Sequence, residues 1–593
     1  MAVIEIARMG RLAGFLLVAA MSTASLAAPA SNNASASNAS ASNASASNAS
    51  ASNPPGAAAD TPFGAYLSGR HAEEEHDYSA AVLWYKAALR ADPHSAELIS
   101  RTFSMEAYDG DFAAALPLAM QQLKLDSSDA VADLVLMVDR VKAGDMAGAL
   151  ARAEALPDDG LHRYVRPLAL AWTEMGVGNL AGADAALQDL DKFDGFAPLK
   201  YFQLGLLYDF AGNAAKAEDY YKKTLAATGQ LNWRLTDALA NFYRRHGRPD
   251  QAAALYRRFV KENPDSELAE SILAMKPSGT PAPLIGSARD GLAEALFDLA
   301  SVVNRPETVD LALLYDRCAL ALRPQLTVAN LLLADILSAE DEPQQSLAVL
   351  AGISANSPYT WSAQLRMAAD LEALNRTDEA VAQLEAMAAK APHRASAEIQ
   401  LGDLLRGHKR FAEAASAYSE AIRRLKAAGV PPHWSLYYSR GIAYERAGQW
   451  SLAEADLEHA LELKPDQPLV LNYLGYSWID RGEKLKQGLK MIEQAVALRP
   501  EDGYIVDSLG WAHYRLGDYA SAVQYLERAV ELVPEDPTIN DHLGDAYWRT
   551  GRLVEARYQW RQALQFKPDK EDIKPIEAKL AGGLPTASRA GGG

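Results

Sequence analysis

Between Trp434 and Pro568 one pattern is written four times, and no other feature of the chain constrains its fold so tightly. Proline closes each copy, at Pro465, Pro500, Pro534 and Pro568, with spacings of 35, 34 and 34 residues. The last copy carries Leu543, Gly544 and Tyr547, then Ala556, Trp560 and Ala563. The copy before it carries Leu509, Gly510 and His513, then Ala522, Leu526 and Ala529; the first carries Gly441 and Tyr444, then Ala453, Leu457 and Ala460. In the last copy the first trio falls at i, i+1 and i+4 and the second at i, i+4 and i+7, so each set shares one helical face. The small residues Gly544 and Ala556 mark a close crossing of two helices. Gly551 supplies the turn between them, and Pro568 ends the second helix because it has no N–H to donate. One such pair cannot bury its own apolar stripe. Stacked neighbours can, so the pattern predicts an all-α array whose stability is shared between adjacent units.

A helix with small and aromatic positions, a second helix and a terminal proline at this period resemble the tetratricopeptide repeat. The resemblance implies a solenoid, a right-handed superhelix of helix-turn-helix units. The same phasing starts a first unit at Pro62, with Gly69, Ala81, Tyr85, Ala88 and Pro93, and further units near 96, 130, 162, 198 and 233. Residues 276–290 hold Pro277, Pro281 and Pro283 with Gly279 and Gly286, and read as a loop between an N-terminal array, 62–275, and a C-terminal array, 291–568. The second array runs in units starting near 293, 327, 361, 395, 434, 468, 503 and 537, which makes about 14 units in all. Residues 569–593 read as a short helix and a Gly-rich tail.

Residues 1–30 have the form of a secretory signal peptide. Arg8 and Arg11 precede an apolar run from Leu12 to Ala20, and small residues continue to Ala30, so cleavage falls after Ala27 or after Ala30. The run is short for a membrane span. No cysteine lies there, so no lipid anchor is expected, and no later segment is long and apolar enough to cross a bilayer. Residues 31–61 are a low-complexity Ser/Asn/Ala stretch with Asn33, Asn38, Asn43, Asn48 and Asn53 marking its period. From Ser31 to Pro55 it lacks charge and large apolar side chains, so it cannot build a core and reads as a flexible tether.

Composition narrows the function classes. Lys and Arg number 58 against 76 Asp and Glu, a formal net charge of −18, which argues against a nucleic-acid partner because phosphate binding needs clustered cations. The single cysteine, Cys318, excludes an intrachain disulfide and a cysteine-based zinc site; among Leu314, Ala319 and Leu322 it reads as a small core residue. The repeats leave no room for a catalytic domain, and neither a phosphate-binding Gly-x-x-x-x-Gly-Lys loop nor a Gly-x-Ser-x-Gly elbow occurs. His71 and His76 are five apart, on different faces of a helix, whereas zinc-protease ligands need i, i+4. Gly176 and Gly178 follow no strand pattern and read as an inter-helix turn. No enzymatic activity, cofactor or metal is expected.

A partner surface is legible on the first helices. While Val506, Leu509, Gly510 and His513 face the core, Asp507, Trp511 and Tyr514 recur at i, i+4 and i+7 on a different face. The same offset selects Tyr438, Ile442 and Glu445, then Asn472, Tyr476 and Ile479, then Asp541, Asp545 and Trp548, with Arg515 and Arg549 flanking. Aromatics beside Arg and Asp without a core task have the composition of a protein-binding surface. The opposing reading wedges Trp511 and Trp548 between adjacent helices as packing.

The segments from Gly286 to Phe297, Asn472 to Tyr476, Asp507 to Tyr514 and His542 to Trp548 resemble the large secreted tetratricopeptide proteins of proteobacteria, over roughly residues 62 to 568. Within that family the chain is similar to the outer-membrane lipoprotein adaptor of a carboxyl-terminal processing protease, which wraps the protease and delivers cell-wall hydrolases to it. The resemblance implies a non-catalytic periplasmic scaffold whose partners are proteins, with presentation of substrates to an envelope protease as its sharpest form. The alternative is a structural component of an envelope assembly, such as polysaccharide export or outer-membrane biogenesis. The chain departs from the adaptor in lacking a lipidated cysteine.

Overall fold

The computed structural model describes residues 61–160, 162–263, 266, 268, 271 and 280–585; the stretches read as a secretory signal and, but for its last residue, as a tether lie outside them, as does part of the Pro/Gly stretch. Among the described residues there are 29 α-helices and no strand. They run in order as α1 (Pro62–Glu74), α2 (Tyr78–Ala91), α3 (Ala96–Asp109), α4 (Phe112–Leu125), α5 (Ala130–Ala143), α6 (Met146–Ala155), α7 (Val165–Gly176), α8 (Leu180–Gln188), α9 (Ala197–Phe210), α10 (Ala214–Thr228), α11 (Trp233–Arg245) and α12 (Pro249–Glu262). Beyond the Pro/Gly stretch come α13 (Ala288–Val303), α14 (Val309–Leu322), α15 (Thr327–Ala339), α16 (Pro343–Ala351), α17 (Thr360–Ala373) and α18 (Thr377–Lys390). The series ends with α19 (Ser396–Gly407), α20 (Phe411–Ala427), α21 (Trp434–Arg446), α22 (Trp450–Leu463), α23 (Pro468–Asp480), α24 (Leu485–Leu498), α25 (Gly503–Arg515), α26 (Tyr519–Leu532), α27 (Pro537–Arg549), α28 (Leu553–Gln565) and α29 (Lys570–Gly582). The odd-numbered helices start within a few residues of the units that the phasing gives, at Ala130 and Val165 for the degenerate ones and at Ala288 rather than 293 beyond the Pro/Gly stretch. The fold is the tetratricopeptide solenoid that the repeat pattern predicts.

Local chemistry sets each pair. In the last, Asp536 caps α27 by accepting from the backbone N–H of Thr538 and Ile539 at 2.8 and 2.9 Å, and Pro537 takes the position where a missing N–H costs nothing. Gly551 turns the chain at φ +83°, a conformation that costs other residues about 1–2 kcal/mol. Gly544 has no side chain because a Cβ would lie 2.5 Å from the Trp560 ring, which is fully buried. Cys318 is buried, as its neighbours imply, and burial pushes its thiol well above the ordinary range.

The helices form two compact units that part at Gln383 and Leu384, within α18. The Pro/Gly stretch is therefore not where the units separate. Helices on both of its sides belong to the first unit, which runs to Gln383. There α13 packs against α7 and α9, and α14 against α3 and α5, so the first helices of the N-terminal pairs face the chain's own later segment. Gly291 abuts the Trp172 ring, where a Cβ would sit 2.1 Å from Cε3. Around it Trp172 donates to Gln203 at 2.8 Å and Gln203 donates to Asp298 at 2.6 Å, while Arg234 donates twice to Glu294. Toward the amino-terminal end of the unit, Tyr78 donates to Asp310 and His76 pairs with Glu340, both at 2.5 Å; Trp233 donates to Tyr359 at 2.5 Å. The pairs α1–α2, α9–α10 and α11–α12 thus each meet a polar partner delivered from 294–359. His76, one of the two histidines five apart, is spent on this contact.

The second unit, from Leu384, is a plainer stack. α21 to α28 form four successive helix pairs, and each first helix also packs on the first helix of the next pair along α23, α25 and α27. α29 then packs against α28.

Candidate functional site

The first-helix row of the second unit is the surface selected by the aromatic and charged pattern. Its helices are fixed from below by the small residues of the crossing. A Cβ at Gly441 would meet Leu457 at 3.0 Å, one at Gly475 the Gly488 carbonyl oxygen at 2.7 Å, and one at Gly510 Leu526 at 2.6 Å. With those faces pinned, the residues one position on are turned toward the neighbouring first helix and the open side of the row.

Tyr438 is half-buried and meets Tyr473 edge-on at 6.0 Å, while Tyr473 donates to Glu445 at 2.9 Å. Tyr476 is half-buried against the cluster of Ile479, Ile492 and Leu509. Asn472 and Ile479 are buried and Ile442 is half-buried. Trp511 is half-buried and sandwiched, stacked on Tyr514 at 4.7 Å and on His542 of the following first helix at 4.0 Å. Below it Asp507, 1% exposed, holds His542 Nδ1 at 3.0 Å. Arg515 is exposed and donates to the Asp480 carboxylate and, at 2.8 Å, to the Asp480 carbonyl.

The last helix pair is arranged differently. Asp545 is 5% exposed and accepts from Trp560 Nε1 at 2.9 Å. Lys579 of α29 donates to Asp541 at 2.7 Å and to Asp545 at 2.9 Å. Trp548 packs against Trp560 at 5.5 Å with the Arg557 guanidinium 5.0 Å from its ring centre. Arg549 donates to the Tyr514 hydroxyl at 3.3 Å and to the Pro585 carbonyl at 2.7 Å. The residues selected from sequence therefore fall into two groups. Tyr438, Tyr476, Trp511, Tyr514 and Arg515 line the row on α21 to α25 with Asp507 buried beneath it rather than on it, whereas Asp541, Asp545, Trp548 and Arg549 are engaged by the chain's own final helix and the residues that follow it.

Electrostatics follow the burial. Desolvation works against a charged His542, but the Asp507 carboxylate, with Asp541 and Asp545 beyond it, raises its pKa above the usual imidazole range. Burial and the neighbouring Asp541 push Asp545 up to about 6, against the pull of Lys579. Burial raises the Tyr438, Tyr476 and Tyr514 phenols, so they stay protonated. His542 and Lys579 were not singled out by the sequence pattern. The spacing of Asp541 and Asp545, i and i+4 on one face, was the available signal for a cation brought from elsewhere. Chemically, the row offers flat aromatic surface, phenol donors and a guanidinium. Among the described residues no group of His, Cys, Asp and Glu could hold a metal ion.

Comparison with known proteins agrees with the repeat geometry. A tetratricopeptide-repeat family model matches residues 365–429, 438–503, 480–537 and 508–571, and two further tetratricopeptide-repeat models match 233–275 and 201–228. The chain is similar to the TPR repeat-containing protein PA4667 of Pseudomonas aeruginosa, 30% identical over 123 residues, covering 21% of this chain and 20% of that protein. It is also similar to the lipoprotein NlpI homolog of Haemophilus influenzae, 49% identical over 41 residues, 7% of this chain and 13% of that protein. The chain thus spans about a fifth or less of the length of these relatives. Among solved structures it is similar to the APC/C Cut9–Hcn1 hetero-tetramer, with a TM-score of 0.37 and 15% identity over 89% of this chain and 97% of that one. No helix among the described residues is long and apolar enough to cross a membrane.

Proposed function

We propose that this chain of tetratricopeptide repeats is a non-catalytic periplasmic scaffold that binds a protein partner on the first-helix row of its second unit. The observation that carries the reading is an asymmetry between the units. In the first, the equivalent helix faces are filled by α13 and α14; in the second, Tyr438, Tyr476, Trp511 and Tyr514 keep part of their surface open beside the exposed Arg515. Aromatic and Arg side chains that keep open surface are the usual anchors of interfaces, where a few such residues dominate the binding energy. The charge of −18 disfavours nucleic acid. A periplasmic setting is supported by the secretory form of residues 1–30, and the short stretch shared with a lipoprotein favours an envelope role. In its sharpest form the scaffold presents substrates to an envelope protease; the other form is a structural part of an envelope assembly.

Crosslinking pull-down from a periplasmic fraction, comparing the natural chain with Tyr476→Ala/Trp511→Ala, tests the reading. Each anchor lost should cost about 2 kcal/mol, roughly thirtyfold in affinity, with helical content preserved. Captured partners unchanged by the double variant would move the site off this row. Met1 retained on a cytoplasmic product would remove the periplasmic part of the proposal. Recovery of a processing protease among the partners separates the adaptor form from the assembly form.

A further inference from the structure

We infer that Tyr514, Trp548 and Arg549 form a docking site for an extended peptide, and that residues 583–585 occupy it in cis as the stand-in for a partner segment. The inference rests on the scaffold reading and specifies which chemistry the far end of its row recognises. α29 ends at Gly582, and the chain then lies back across the last first helix. Gly583 adopts φ +74° and ψ −177°, a region that is essentially glycine-only. It is pressed onto the Trp548 indole so closely that a Cβ would fall 1.9 Å from Cζ2 and 2.2 Å from Cη2. Leu584, half-buried, packs with Leu580 and Trp548 on the apolar cluster that contains Trp560. The Pro585 carbonyl accepts from Arg549 Nη1 at 2.7 Å, and Arg549 is itself braced by the Tyr514 hydroxyl at 3.3 Å.

Each of these contacts reads a different property of a passing chain. The indole plate admits only a residue without a side chain, the apolar seat takes an aliphatic group, and the guanidinium takes a main-chain carbonyl two residues beyond the glycine. Pro585 itself is exposed, so its ring adds little burial, but proline there stiffens the strand that presents the carbonyl. The partner segment is therefore an extended Gly-aliphatic-Pro sequence. Three residues make few contacts, and they hold the site because covalent attachment supplies an effective concentration in the millimolar range. A free segment with the same three features competes once the resident one is released. Arg557 over Trp548, with Arg549, disfavours a basic residue at this end of the groove.

The test uses the full chain and a fluorescein-labelled synthetic peptide spanning residues 582–589, read by fluorescence anisotropy. Gly583→Val cannot keep the resident backbone conformation and evicts the segment. Leu584→Asp evicts it without touching the α29 terminus and serves if the first variant loses helical content. Either should bind the peptide at least about tenfold tighter than the natural chain, because apparent affinity scales with the fraction of molecules whose site is open. Adding Trp548→Ala or Arg549→Ala should abolish the gain. Equal binding by natural and evicted chains, or a gain that survives Trp548→Ala, overturns the inference. It falls alone if the Tyr476→Ala/Trp511→Ala pull-down still loses its partner, and the scaffold reading falls alone in the reverse case.

Discussion

Gly544→Leu is the substitution whose cost the structure defines best. The Cβ of any side chain at 544 would stand 2.5 Å from both Cδ1 and Nε1 of Trp560, about an ångström inside ordinary contact. Trp560 has no free direction in which to yield. It is fully buried and its Nε1 donates to Asp545 at 2.9 Å. Moving the ring forfeits packing of the kind that costs about 3–5 kcal/mol when a Trp is removed from a core. It also strips a donor from a buried carboxylate, about 1–3 kcal/mol more. These losses overlap, so a net destabilisation of about 3–5 kcal/mol is expected. Gly544→Ala, one methyl in the same place, should cost about 1–3 kcal/mol. Lys570→Ala, at an exposed position, should stay within about 0.5 kcal/mol. Urea titrations followed by far-UV circular dichroism and tryptophan fluorescence measure all three. A midpoint for Gly544→Leu equal to that of Lys570→Ala would show that the two helices do not cross at this glycine and would refute the phasing of the repeat.

His542 carries a folded-state pKa raised by Asp507, Asp541 and Asp545. Its contribution is therefore fully present below the unfolded value of about 6.5 and is lost as pH rises through the folded value. Stability of the second unit should fall on moving above pH 6.5, and His542→Gln should flatten that slope; an identical slope in the variant would assign it to other groups. Glu294→Gln leaves Arg234, 8% exposed, without its buried carboxylate and should cost about 3 kcal/mol, most of it recovered in Arg234→Met/Glu294→Leu; thermal unfolding of the pair decides, and a double variant as unstable as the single would contradict it. Deleting residues 31–55 should leave the melting temperature unchanged, because the stretch offers no apolar side chain large enough to bury; a fall of several degrees would mean that it packs on the array.

What the sequence made legible was the part governed by short-range rules. Helix starts followed from the repeat period and from glycines at turns such as Gly551, and the degenerate units near 130 and 162 have first helices that begin at Ala130 and Val165. What it concealed is carried by polar pairs between residues far apart in the chain. α13 is buried on all sides, with Leu292, Leu296, Phe297 and Leu299 among the enclosed residues. Such a helix normally declares itself by being apolar all round. Glu294 and Asp298 break that pattern and give α13 the look of a helix with one wet face. Only Arg234 and Gln203, sixty and ninety-five positions away, reveal that those carboxylates are inside. The Pro/Gly stretch accordingly reads as a boundary between arrays, although it is a connection within one unit. At the site the same limit applies. The row of Asp507, Trp511 and Tyr514 followed from helical spacing, but nothing in that spacing told that Lys579 and Gly583 would cover the equivalent row one pair later.

Packing and binding are not exclusive readings of Trp511. One face of its ring lies 4.0 Å from His542, and that contact fixes the indole relative to the next first helix. A side chain so held has already lost its rotamer freedom on folding, so a partner that covers its remaining surface does not meet that cost again. The stacked trio of Tyr514, Trp511 and His542, braced from below by Asp507, is thus a preorganised plate. In the first unit, first helices built by the same repeat pack on α13 and α14 instead. One repeat pattern thus meets two settings along the chain: first helices packed on the chain's own later helices before Gln383, and a half-buried aromatic row after it.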